Sequence, residues 1–154
     1  MAQIGGVAMP LNDPVMQHRH AIRDGLLDMV AMTRAHIADP DIVTKLERGE
    51  EERIRPCVGM THCMGASRPT CVHNPASGRE LHWPQHIEPG AAAARRAVVV
   101  GAGPAGLEAA RILAERGHQV KVFEATDKPG GQMRMAAVAS WRRDVVGIVD
   151  WRAA

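Results

Sequence analysis

The alternation of apolar and polar positions is clearest in the last third of the chain. Residues 97–100 form a short apolar run, which predicts a buried β-strand. Residues 107–114 place apolar side chains at helical spacing, and residues 120–123 alternate as a second strand does. Gly117 lies between them, where a glycine commonly ends a helix. The pattern therefore predicts a strand–helix–strand unit, followed by a loop and one more helix over 142–152.

A second pattern occupies residues 21–55. The apolar run 27–32 predicts a strand buried on both faces. Gly25 predicts the end of a preceding helix, and the residues around Asp39 predict the start of a following helix that ends at Gly49. This order of helix, strand and helix is typical of the last unit of a parallel α/β sheet.

Between these units lies a segment rich in Pro, His and Cys and poor in apolar residues, which predicts loop structure and a linker. We therefore predict an α/β chain in three parts, residues 1–55, 56–94 and 95–154. The length of 154 residues excludes a complete (β/α)8 barrel, which needs about 200 residues or more.

Composition narrows the class of protein. With 45% hydrophobic and 23% charged residues, the chain is expected to be globular rather than disordered. A formal net charge of +2 is too small to indicate nucleic acid or an anionic membrane as a partner. No apolar run is long enough to span a bilayer, and the first residues lack the features of a signal peptide. We expect a cytoplasmic protein.

The first strand of the C-terminal unit enters a glycine-rich turn with the spacing G-x-G-x-x-G, and a helix follows. Gly101 permits a sharp turn, Gly103 leaves room for a pyrophosphate, and Gly106 permits close packing of helix on strand. Glu124 ends the second strand, where a carboxylate binds ribose hydroxyls and opposes the 2′-phosphate of an NADP-type ligand. These residues predict an adenine dinucleotide in its 2′-OH form, bound by Gly101, Ala102, Gly103, Pro104, Ala105, Gly106 and Glu124.

The three cysteines, Cys57, Cys63 and Cys71, lie close together in sequence among glycines and prolines. An odd, clustered set does not suit a secreted disulfide framework and favours metal or redox chemistry. Iron–sulfur clusters normally take four cysteines, so a fourth ligand is needed, or one iron stays open, or the cluster is absent. His62 and His73 are candidate ligands. Zinc bound by three cysteines and one histidine is a competing interpretation, and unliganded loop cysteines are another.

Three stretches resemble one family along most of the chain. They are DMVAMTRAHIADPDIVTKLERGEEERIRPCVG, VHNPASGRE and VVVGAGPAGLEAARILAERGHQVKVFEA. They are similar to the NADH:flavin oxidoreductases with a fused C-terminal flavoprotein module, the family of 2,4-dienoyl-CoA reductase and trimethylamine dehydrogenase. The resemblance implies that residues 1–55 are the C-terminal end of an FMN-binding TIM barrel. It also implies that residues 56–94 are an iron–sulfur loop segment with a linker, and that residues 95–154 are the first βαβ unit of a Rossmann-like FAD/NAD-binding domain.

The same resemblance implies further binding residues. Thr33 and Arg34 correspond to the end of the last barrel strand, where the family's arginine contacts the FMN phosphate; a surface arginine paired with an acidic neighbour is the alternative. Gly131 and Gln132 correspond to a later Gly-Gly segment that approaches the dinucleotide. Met60 stands where the family has its second cluster cysteine, a variant that resembles a branch of N-methylproline demethylase-type proteins.

The resemblance implies a fragment of a flavin-dependent oxidoreductase. Its parent would move electrons between a barrel FMN, an iron–sulfur cluster and FAD or another adenine dinucleotide, with an N-methylated amine or enoyl compound as substrate. Most of the barrel is not in this sequence, so we expect an incomplete active site and name no catalytic residue. The alternative is a non-catalytic module that binds a dinucleotide and zinc.

Overall fold

The computed structural model describes residues 20–65 and 67–154. Our expectation that residues 1–19 belong to a barrel remnant lies outside the described residues. A helical turn over 20–23 comes first, and Gly25 follows it with a φ of +71°. The helices after it are α1 (Thr33–Ala38), α2 (Ile42–Arg48), α3 (His62–Gly65), α4 (Pro104–Glu115), α5 (Gln132–Ala136) and α6 (Gly147–Ala153). The strands are β1 (Arg96–Val100) and β2 (Gln119–Phe123), and 3-10 turns cover Glu51–Arg53 and Ser140–Val146.

The predicted strand–helix–strand unit is confirmed. Strands β1 and β2 pair in parallel, with Val99 opposite Val122, and α4 is the crossover between them. A parallel pair requires such a crossover, because both strands must start at the same edge. Gly101 extends the pairing, since its amide donates to the carbonyl of Phe123 at 2.7 Å. The α/β assignment and the Rossmann-like unit therefore hold for this part of the chain.

The hydrophobic core lies between α4, α6 and residues 56–94, which we call the cysteine segment. Helix α4 contributes Leu107 to this core, and the cysteine segment contributes Val58. The predicted helix over 142–152 is divided in the structure, because α6 starts only at Gly147. A Cβ on Gly147 would lie 3.3 Å from Cγ1 of Val58, so the glycine allows α6 to approach that segment closely. The core members are Val58, Ala102, Leu107, Val145, Ile148 and Val149.

The predicted strand over residues 27–32 is wrong. The structure has no strand there, and Thr33 and Arg34, expected at the strand's end, form the first turn of α1. A strand buried on both faces needs neighbours on both sides. The described residues offer none, because their single sheet contains only β1 and β2. Met29 accordingly stays 82% exposed.

The other predictions for residues 21–94 are confirmed in part. Helix α2 follows the predicted start near Asp39 and ends at Gly49, whose φ of +69° suits a helix stop. The described residues between 56 and 94 are irregular apart from α3, as predicted. Helices α1 and α5 had no counterpart in the prediction. None of the helices in the part of the chain that the structure describes combines the length and apolarity that a membrane crossing requires.

Candidate functional site

The glycine-rich turn joins β1 to α4 at the carboxyl edge of the sheet. Gly101 takes a φ of +94°, which a residue with a Cβ rarely adopts. Gly103 precedes α4 in an extended conformation, and Pro104 occupies the first helical turn, where a missing N–H costs nothing. A Cβ on Gly103 would meet no atom within 4 Å. The turn is therefore open at Gly103, where the approach of a pyrophosphate was predicted.

Gly106 lies on the packed side of the same turn. A Cβ on this residue would lie 1.9 Å from the carbonyl oxygen of Gly101 and 3.3 Å from Cγ1 of Val99. Real Cβ atoms do not come that close to a backbone oxygen. Helix α4 can therefore cross β1 at this distance only with a glycine here, as the sequence predicted.

Glu124 binds the backbone of the turn directly. Its Oε2 accepts a hydrogen bond from the amide of Ala102 at 2.8 Å, and its Oε1 accepts from the amides of Ala125 and Thr126 at 2.8 and 3.0 Å. These bonds, that of Ala102 first, hold the pKa of Glu124 below its ordinary value, so the carboxylate stays ionised at neutral pH. Sequence reasoning missed this bracing role, for which the sequence carries no signal.

The later Gly-Gly pair lies against the first turn. The amide of Gly130 donates to the carbonyl of Ala102 at 2.7 Å, and a Cβ on Gly131 would lie 3.7 Å from Cα of Gly103. Gln132 follows as the first residue of α5. The structure therefore brings the glycine turn, Glu124 and the Gly131–Gln132 pair to one edge of the sheet.

The cysteine segment contains Cys57, Cys63 and Cys71, which were predicted as metal ligands. Between residues 20 and 65 and from 67 onward, no three His, Cys, Asp or Glu side chains lie close enough together to hold a metal ion. The Sγ of Cys71 accepts a hydrogen bond from the amide of His73 at 3.3 Å, and Cys57 and Cys63 are half-buried. With three cysteines and a methionine at position 60, this arrangement does not fit a four-thiolate cluster. The assignment of the cysteines as metal ligands stays a prediction.

Thr33 and Arg34 are exposed on the first turn of α1. Arg34 was expected either to contact an FMN phosphate or to pair with an acid such as Asp39. Asp39 instead binds the ammonium group of Lys45 and the amide of Arg55. The FMN role of Thr33 and Arg34 stays a prediction.

A cluster around Trp151, which sequence reasoning missed, links three parts of the chain. The guanidinium groups of Arg55, Arg111 and Arg152 lie 4.6, 5.7 and 5.8 Å from the indole ring. The imidazole of His73 packs edge-on against the same ring at 5.3 Å. We call these five residues the Trp151 cluster. Because these residues come from distant segments of the chain, no local sequence pattern predicts the cluster.

Glu108 of α4 neutralises two of these arginines. Its Oε2 accepts from Nε of Arg152 at 2.6 Å, and its Oε1 accepts from Nη2 of Arg111 at 2.7 Å. Burial acts to raise the pKa of Glu108, but the bonds and charges of Arg111 and Arg152 outweigh it and lower the pKa. Arg152 also donates to the carbonyl of His73 at 2.9 Å, so the cluster joins α4 and α6 to the cysteine segment.

His73 makes the stability of the protein depend on pH. Its side chain is fully buried, and its Nδ1 is paired with the carbonyl of Pro56 at 2.9 Å. Burial first, and then the charge of Arg152, lower the pKa of His73 from 6.5 to about 3. Because the folded pKa lies below the unfolded one, the stabilisation is complete above the unfolded pKa of 6.5 and is lost as pH falls towards 3.

We therefore expect the free energy of unfolding to decrease by up to about 1.4 kcal/mol for each pH unit below the unfolded pKa. Urea denaturation at a series of pH values between 7 and 5 measures this slope, before most carboxylates titrate. His73→Phe should flatten it, whereas replacing the exposed His82 with phenylalanine should not. Equal slopes in both variants would contradict the assignment.

Comparisons with known proteins agree with this geometry. Residues 99–151 match the family of NAD(P)-binding Rossmann-like domains. Over 134 residues the chain is 59% identical to a multifunctional alkene reductase/demethylase of Caballeronia cordobensis, covering 87% of this chain and 20% of that protein. A probable N-methylproline demethylase of Rhizobium meliloti is 54% identical, again over 87% of this chain and 20% of the relative. The structure of histamine dehydrogenase from Rhizobium sp. 4-9 matches with a TM-score of 0.76 and 35% identity, over 87% of this chain and 20% of that one.

The chain thus spans 20% of the length of each of these relatives. The resemblance found in the sequence is confirmed by them, since the matches run through the cysteine segment and the glycine turn. These relatives are members of the NADH:flavin oxidoreductase family related to trimethylamine dehydrogenase, and the chain is similar to them along most of its length.

Proposed function

We propose that this chain binds an adenine dinucleotide with a free 2′-OH, FAD among the candidates, as part of a flavin-dependent oxidoreductase. The observation that carries the proposal is the open side of Gly103, which lies beside the start of α4 and close to Gly131. A helix start offers unpaired amide N–H groups and the positive end of the helix dipole, both of which favour phosphate oxygens.

The chain's own residues perform the binding. Gly103 lets a pyrophosphate reach the backbone, and the unpaired amides of the first turn of α4 are its hydrogen-bond donors. Glu124, ionised and held by the turn, accepts from ribose hydroxyls with the capacity left on Oε2 and repels a 2′-phosphate. A bound flavin or nicotinamide dinucleotide supplies the hydride and electron transfer itself.

For the remainder of the chain we propose the domain organisation that the resemblance implies. Residues 1–55 are the C-terminal end of an FMN-binding barrel, residues 56–94 the iron–sulfur loop segment and linker, and residues 95–154 part of the dinucleotide-binding domain. Arg34, with Thr33, is the proposed contact to the FMN phosphate, since a guanidinium is a bidentate phosphate donor. The relatives named demethylase and alkene reductase support an N-methylated amine or an enoyl compound as substrate of the complete enzyme.

The cysteines are proposed as metal ligands only on the resemblance. Cys57, Cys63 and Cys71 would provide three thiolates, and Met60 stands where the family has its second cysteine. A thioether is a poor ligand for such a cluster. We therefore assign no step of electron transfer to this segment.

Replacing Gly103 with alanine tests the nucleotide site. The new Cβ meets no protein atom, and the backbone there is already extended, so stability should change by less than about 0.5 kcal/mol. The same methyl group occupies the position that the pyrophosphate needs. We expect affinity for FAD and ADP to fall about tenfold or more, measured by isothermal titration calorimetry.

Gly90→Ala is the matched control. Its Cβ would make an ordinary contact of 3.5 Å with the carbonyl oxygen of Arg116, away from the turn, so binding should stay unchanged. If the folded wild-type chain retains none of FAD, ADP and NADH, the proposed function is wrong.

A further inference from the structure

A second cleft lies beside the Trp151 cluster, distinct from the glycine turn. It has a volume of about 750 Å³ and opens between α2 and the end of α6. Its lining includes Asp39, Lys45, Arg55, Arg111, Trp151 and Arg152. The proposed nucleotide site uses none of these residues.

Arg55 is the unusual member of this lining. It is only 7% exposed, yet no carboxylate within the described ranges forms an ion pair with it. Its Nη1 donates to the carbonyl of Ala38 at 3.2 Å, and its Nε is buried with no hydrogen-bond acceptor. Burying a cation without a counter-charge is costly, and such groups are normally paired.

The acids nearest Arg55 are bonded to groups other than its guanidinium. Glu108 bonds Arg111 and Arg152, and Arg111 also pairs with Glu115 at 2.8 Å. Asp39 offers its Oδ2 to the ammonium group of Lys45 and to the backbone amide of Arg55, not to the guanidinium. The Trp151 ring partly compensates Arg55 through a cation–π contact at 4.6 Å, an interaction worth about 2 kcal/mol when desolvated.

We propose that this cleft binds a small oxyanion, a phosphate or a carboxylate, with Arg55 as its charge partner and Trp151 at its side. A guanidinium presents a planar fork of N–H donors that matches both groups. An anion bound here neutralises the buried charge of Arg55. Part of its binding free energy comes from removing the cost of burying that charge without a partner. The site goes beyond the proposed nucleotide function and does not depend on it.

The test uses Trp151 as the reporter. The full chain contains three tryptophans, and the other two, Trp83 and Trp141, are exposed, so both can be replaced with phenylalanine. Sodium phosphate, and separately sodium acetate, are titrated against sodium chloride at constant ionic strength while Trp151 fluorescence is recorded. We expect a saturable change with at least one of the two anions, and a rise in melting temperature with the same anion.

Arg55→Met should abolish the saturable fluorescence change, and Arg55→Lys should weaken it about tenfold, because a lysine keeps the charge but loses the fork. Arg48→Met is the matched control. Arg48 lines the same cleft but is exposed, so its removal lowers the net charge equally without removing the charge partner. A response to phosphate that survives in Arg55→Met belongs to another place, such as the glycine turn, and overturns the proposal.

Two further results overturn it. One is the absence of any saturable response in the wild-type background, which does not depend on whether a variant folds. The other is equal loss of the response in the Arg48 and Arg55 variants, which indicates general charge screening. Saturation with phosphate alone, with acetate alone or with both identifies the oxyanion class and supports the site.

Discussion

Replacing Gly106 with alanine will disrupt the ordered βαβ unit. The added Cβ would lie 1.9 Å from the carbonyl oxygen of Gly101 and 3.1 Å from its carbonyl carbon. Both are backbone atoms of a turn that the bond from Gly101 to Phe123 holds against β2. No side chain can rotate to relieve the clash, so α4 must move away from β1.

That movement reduces the burial of Leu107 and opens the contact of α4 with the core. Overpacking of this kind costs about 3 kcal/mol or more, which is a large share of the roughly 5–15 kcal/mol that stabilises a domain. We expect a markedly lower urea midpoint, or no cooperative transition at all, when unfolding is followed by circular dichroism.

Gly103→Ala provides the comparison, because it adds the same methyl group to the same turn in open space. It should unfold at the wild-type midpoint and fail only in nucleotide binding. Equal midpoints for the Gly106 and Gly103 variants would show that α4 does not pack on the turn as described.

The βαβ unit could be predicted from sequence because its determinants are local. Three neighbouring patterns predict its elements. The apolar run before Gly101 predicts β1, the helical spacing after Gly106 predicts α4, and the alternation that ends at Glu124 predicts β2. What could not be predicted is that Glu124 holds the amide of Ala102 at 2.8 Å. A carboxylate at this position suits both roles, binding a ribose and bonding the backbone of the turn. The residue type alone therefore does not reveal the second role.

The first half of the chain shows the opposite case. The apolar run 27–32 has the composition of a buried strand, but strand structure depends on partners that lie elsewhere in a protein. The described residues contain no such partner, and the segment is irregular. The prediction failed because a local sequence pattern does not show whether partner strands are present.

The cysteine segment is held by buried polar contacts in addition to the core residue Val58. Asn74 is almost completely buried, and its amide donates to the carbonyl of Ile37 at 3.2 Å and to the side chain of Gln85 at 3.1 Å. Its carbonyl oxygen accepts from the amide of Ala76 at 3.1 Å. The segment predicted as a loop is therefore irregular but anchored, through bonds that span up to 37 positions of sequence.

Arg152 is the residue of the Trp151 cluster whose loss we expect to cost most. Its side chain is 4% exposed and bonds Glu108 at 2.6 Å, the carbonyl of Ile148 at 2.7 Å and the carbonyl of His73 at 2.9 Å. Removing one partner of a buried ion pair typically costs about 3–5 kcal/mol. Because Glu108 keeps Arg111, we expect Arg152→Met to lower the free energy of unfolding by about 3 kcal/mol.

Urea denaturation at neutral pH measures this loss, and Arg142→Met is its control. Arg142 also lies over a tryptophan, 4.3 Å from the ring of Trp141, but it is exposed and far less of its charge is desolvated. Its replacement should change stability by less than about 0.5 kcal/mol. Because bonded Glu108 has a lowered pKa, its contribution is present above its unfolded pKa and is lost as pH falls further, so the two variants should converge in acid. If Arg152→Met and Arg142→Met unfold alike at neutral pH, the cluster does not hold α6 to α4 and the cysteine segment.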